Sequence, residues 1–254
     1  ASVWLAANLL ASGAMAQNDP SCDLHQKSTK AFEQLSDTLA AHNVCDREAI
    51  RAQEAKENYE ESFPIKDKKG KDTKVNDEVF GFSLQGHPDE LVAAKAILEG
   101  VLPDKWAASA RNCPTVLCAF TALLGSEEAA HRVLSFHKDT GYAISTDQSA
   151  NSSRRGVNQL WNLYEIRMID QSVRQLPSNF HKMKKFKRFI RAANGITCQD
   201  LFRPNCAAFA SWSGVVTILE DATKYPSAFS AAVVHEVAHE YDFENKVSHD
   251  DKFS

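Results

Sequence analysis

The sequence predicts a mainly helical α+β protein. Two observations carry this. Apolar residues recur at helical spacing through most of the chain before residue 200. After it, a β-branched run, Ser213 to Glu220, is followed by a proline-opened segment, Pro226 to about Phe243, with helical character. The expected layout is 1–16 as a signal peptide, 17–200 as a helical region and 201–254 as a small core of one strand and one helix.

The 254 residues suffice for one large domain or two small ones. An apolar share of 43% and a charged share of 24% are ordinary for a globular chain. A net charge of −4 argues against nucleic acid as a global partner.

The opening run Ala1 to Leu10 is apolar and short, and Ala14-Met15-Ala16 fits the small-x-small cleavage pattern of a secretory signal. The basic stretch that starts such a signal is missing. The expectation is an exported protein, secreted or periplasmic, with no stable membrane span once the signal is removed; the alternative is a buried N-terminal helix. Six cysteines agree with export. Cys113 with Cys118, Cys198 with Cys206 and Cys22 with Cys45 are one pairing of 15, and buried free thiols are the alternative.

Residues 24–61 read as helical, Asp46 to Tyr59 as an exposed helix and Ile65 to Glu78 as a charged, solvated loop. Pro88 opens a helix that Gly100 stops. Cys113 to Leu124 is an apolar core helix. Ser126-Glu127-Glu128 caps the next, which Gly141 ends. Tyr142 to Ser145 is a short strand. Val157 to Val173 is a helix with Leu160, Trp161, Tyr164 and Met168 inward. Residues 180–191 form a basic amphipathic stretch, read as a core-facing helix with a solvated basic face; an acidic partner or membrane surface is the rival reading. Asp221 to Tyr225 is a turn.

The chemistry sits on the last helix. His235 and His239 are four residues apart, hence on one face and one turn apart. Two imidazoles so placed can hold one Zn²⁺. Glu236, one residue on, can reach a zinc-activated water as general base and then hand the proton to the leaving amine. The neighbours Ala231 to Val234 and Val237-Ala238 are apolar, as a buried metal site requires. The pattern is expected far less than once by chance in a chain with nine histidines. The other histidines, His25, His42, His87, His131, His137 and His181, lack a glutamate at this spacing and read as structural.

The stretch Val233-Val234-His235-Glu236-Val237-Ala238-His239-Glu240-Tyr241-Asp242-Phe243 resembles the zinc helix of zincin metallopeptidases. Its aspartate three residues past the second histidine is similar to the gluzincin form of the anthrax lethal factor catalytic lobe and Mlc titration factor A families. The resemblance covers residues 212–243. It implies a partial zincin-like core, with the strand at 213–220 as the edge strand lining a substrate cleft. It also implies His235 and His239 as zinc ligands, Glu236 as base and Asp242 as a helix-end residue orienting a histidine. A metzincin would have glycine and histidine where Asp242 and Asn245 stand. The gluzincin third ligand is a glutamate on a later helix, and the sequence ends at Ser254. Either the core is truncated there, or His249, Asp250 or Asp251 closes the site; the aspzincin Gly-Thr-x-Asp pattern is missing. Glu240 and Glu244 read as surface charges. The resemblance implies a zinc-dependent peptidase acting on a peptide or protein substrate. The alternatives are a zincin-like binding module without catalysis, and a structural helical exported protein with a chance motif.

Overall fold

The computed structural model describes residues 44–148, 158–197, 199–201, 207–223 and 226–245. The expected signal segment, the helical reading of 24–43 and Cys22, Cys198 and Cys206 lie outside them. The chain divides into two units between Glu57 and Asn58. The described part of the first is the front of helix α1, Val44–Ser62, which faces solvent over most of its length. No helix among the described residues is long and apolar enough to cross a membrane.

The second unit is a mixed α+β body. After the end of α1 comes a hairpin, β1 (Val75–Val79) and β2 (Phe82–Gly86), paired antiparallel. This corrects the expectation of a loop to residue 78. Four of the five β1 residues are exposed, so the strand has no buried face to impose an alternating pattern. The turn places Phe80 at φ 45° and Gly81 at φ 86°, the left-handed pair of a two-residue hairpin.

Helices follow. They are α2 (Pro88–Ile97), α3 (Pro103–Ala110), α4 (Val116–Leu124) and α5 (Glu127–Thr140). The side chains of His87, Thr115 and Ser126 cap α2, α4 and α5. Cys113 and Cys118 form a disulfide across the entry to α4, with Cα atoms 5.4 Å apart. Helix α6 (Leu163–Arg174) begins later than expected, behind the Asn162 cap. Its inward residues are Ile166, Ile169 and Val173, whereas Tyr164 and Met168 are half-buried. The buried Trp161 precedes the helix, its indole N–H donating to the Ser145 carbonyl.

A four-stranded sheet, in the order β3-β4-β6-β5, holds the second half together. Strands β3 (Ala143–Ile144), β4 (Arg188–Arg191) and β6 (Val215–Ile218) are parallel, and β5 (Ala208–Ser211) runs antiparallel to β6. The sheet draws strands from both sides of residue 200. The basic stretch 180–191 is therefore a loop and a strand. Met183, Phe186 and Phe189 are buried at a three-residue spacing that mimics a helical face. Residues Glu220–Thr223 form a single helical turn, α7, where a plain turn was expected. The last helix, α8 (Pro226–Asn245), packs on β5, β6, α6 and α7.

Helices α5 and α6 are joined by a buried ionic network. Glu128 accepts from Arg132 Nε at 2.8 Å and from Arg167 Nε and Nη2 at 2.8 and 2.6 Å. Arg132 Nη1 donates to Asp170 at 2.7 Å, and Arg174 bridges Asp170 and Asp139. Burial pushes the Glu128 carboxyl up, but the two arginines outweigh it and hold the group below its usual range. Removing one member strands buried charge. Asp170→Ala is expected to cost about 3–5 kcal/mol in urea unfolding. Because the folded Glu128 pKa is depressed, its contribution is present above the unfolded value of about 4.3 and lost as pH falls through the folded one. Between pH 6 and 3 the wild type should therefore lose stability more steeply than Glu128→Gln, measured by the same unfolding.

Candidate metal centre

The rotation of α8 is set by an apolar stripe. Phe229, Val233 and Val237 recur every fourth residue and are fully buried. Glu236 and Glu240 share this inward side and are 6% and 1% exposed. His235 and His239 are exposed, about 60–100° around the helix from Glu236. Their Nε2 atoms face each other at 3.0 Å, with the rings edge-to-face at 84°. Asp242, half-buried, lies on the histidine side one turn beyond His239. His249, Asp250 and Asp251 lie outside the described residues.

The histidine pair fits a metal. Two nitrogens each about 2.0–2.1 Å from one tetrahedral zinc lie about 3.3–3.4 Å apart, close to the separation found. Among the described residues no group of three His, Cys, Asp or Glu side chains is gathered at metal-binding distance.

Glu240 is not a surface charge, as its sequence position suggested, but a buried one. Its carboxylate accepts the Ser211 N–H of β5, while Oε1 has no partner among the described residues. Burial, reinforced by the charge of Glu236, pushes its pKa up to about 7. The sequence held a signal for this: Glu236 and Glu240 keep helical register with Phe229 and Val233. Glu244 accepts the backbone N–H of Lys185 at 3.0 Å.

The strand beside α8 also differs from expectation. The segment expected to be the edge strand contains β6, which is interior; the edge is β5, a short run that was not singled out in the sequence. Among the described residues β5 has a strand neighbour on one side only. At the tip of the β5–β6 hairpin Trp212, 71% exposed, stacks on Phe243 at 4.2 Å, and Phe243 lies nearly parallel to His239 at 6.2 Å. A ladder of three rings thus runs from the hairpin to the histidine pair.

Three of the remaining described histidines serve the scaffold. His87 caps α2, His181 Nε2 contacts the Val173 carbonyl, and His131 is buried against Tyr59. No family model, no curated protein and no solved structure matches the chain.

The hairpin is seated by Gly214. Its carbonyl accepts the Lys187 N–H at 2.8 Å, its φ is +77°, and an added Cβ would lie 1.8 Å from the Lys185 carbonyl oxygen. Gly214→Ala is expected to lower stability by upward of about 2 kcal/mol, since left-handed strain and a backbone clash add. Thermal unfolding checks this.

Proposed function

We propose that the chain is a zinc-dependent peptidase of zincin type, with His235 and His239 as ligands and Glu236 as the proton acceptor. The observation that carries the proposal is the convergence of the two Nε2 atoms at 3.0 Å on the exposed side of α8, beside a nearly covered glutamate. Zinc held there would polarise a scissile carbonyl and make water a stronger nucleophile. Glu236 would take the proton from the attacking water on its carboxylate and return it to the leaving amine. Strand β5 offers an edge along which an extended peptide or protein substrate could pair. A third ligand is assigned to none of the described residues; Asp242 is on the right side of the helix, and His249 or Asp250 could follow it. The Cys113–Cys118 disulfide supports an exported protein.

The burial of Glu236 favours one second reading, a zinc-binding module that holds a partner without hydrolysing it. Metal analysis and a peptide library separate the readings. The purified chain is expected to carry about one zinc, because two histidines and a further ligand make a single site. His235→Ala and His239→Ala should each lose it. Glu236→Gln should keep the zinc and lose peptide cleavage by about 10²–10⁴-fold, the usual contribution of a positioned base. Zinc binding without cleavage in the wild type would favour the module. No zinc would sink both.

A further inference from the structure

Of the basic residues between 180 and 191, Lys185 bonds to α8 and Arg191 to Glu165, whereas Lys184, Lys187 and Arg188 surround a cavity of about 300 Å³ at the β3 end of the sheet. Its lining includes three buried apolar residues, Ala143, Met183 and Phe186. Lys184, Lys187 and Arg188 line it from one segment, with His137 of α5 and Glu99 completing the wall.

We propose that this cavity is a binding site for a small organic anion: an apolar body of about benzene size bearing one carboxylate or phosphate head. Three features support the choice. First, the charge is one-sided. Lys184 and Lys187 are exposed and make no ion pair among the described residues, and the only acid in the lining is Glu99. Burial holds the His137 imidazole below its usual pKa, so near neutrality it offers hydrogen bonding and no charge.

Second, Arg188 has unused donor capacity. Its Nη1 faces Glu99 at 3.0 Å and its Nη2 lies 3.8 Å from Asp147. Its Nε is shielded from water and makes no hydrogen bond among the described residues. A buried donor on a charged group left without an acceptor is costly, and an anion would supply one.

Third, the site is held in shape before any ligand arrives. The Phe186 ring packs 4.3 Å from Tyr142 and edge-on to Phe189 at 5.0 Å. The Lys187 N–H donates to Gly214 and its carbonyl accepts from Ala143. Lining residues fixed in this way lose little entropy on binding. The volume is at the small end of ligand pockets, which excludes large cofactors.

Titration calorimetry on the full chain in low salt with EDTA tests the site, with benzoate and phenyl phosphate as probes. Inorganic phosphate lacks the apolar body and benzyl alcohol lacks the charge. At least one aromatic anion should saturate a single site, at least tenfold more tightly than either control. The tighter of the two identifies the head group. Lys184→Ala/Lys187→Ala should weaken binding at least tenfold with an unchanged melting temperature, because both side chains are exposed. His235→Ala/His239→Ala should bind as the wild type does, which separates this cavity from the candidate metal centre. The proposal is overturned if neither aromatic anion saturates in the millimolar range, if the lysine variant binds as tightly as the wild type, or if the histidine variant abolishes binding.

Discussion

The seating of α8 on the sheet is the constraint on which the rest depends. Phe229, Val233 and Val237 are buried along one side, and each fully buried side chain of this kind contributes about 1.5–3 kcal/mol. That burial fixes the helix about its own axis. Once it is fixed, the histidines must face out together and both glutamates must face in. The cost of turning Glu240 inward is met partly by the Ser211 N–H and partly by a proton, which its raised pKa lets it keep near neutrality. The same residue therefore ties α8 to the edge strand.

Behind that helix the scaffold is polar as well as apolar. The Glu128–Arg132–Asp170–Arg174 chain joins α5 to α6, and α6 in turn meets α8, where Ser172 and Ser230 share a hydrogen bond of 2.7 Å. A network of fixed charges tolerates few alternative packings, because any slip leaves a charge unpaired. The loop carrying Lys185 locks the other end of α8: its N–H donates to Glu244 and its ammonium to the Phe243 carbonyl. Helix, hairpin and basic loop are thereby held as one assembly around the two histidines.

Much of this was legible in the sequence, for identifiable reasons. The helices behind Pro88 and Ser126 and the last helix could be read because caps and prolines mark local geometry. The pairing of His235 with His239 could be read because four residues make one turn. The misreadings have a common cause, which is that burial is decided by partners distant in sequence. Phe180, Met183, Phe186 and Phe189 suggested a helix until β6 was found to pair with 188–191. The short β5 has no long apolar run, yet it forms the edge. Glu240 carries a surface-type side chain that masked its register with Phe229 and Val233, and its partner, the Ser211 N–H, is distant in sequence.

The proposed site requires His235 and His239 to bind one metal ion jointly. X-ray absorption at the zinc edge of the zinc-loaded full chain tests it most directly. Two imidazole nitrogens at about 2.0–2.1 Å are expected, lost together in the His235→Ala/His239→Ala chain. Sulfur scattering at about 2.3 Å, or an unchanged spectrum in that variant, would contradict it.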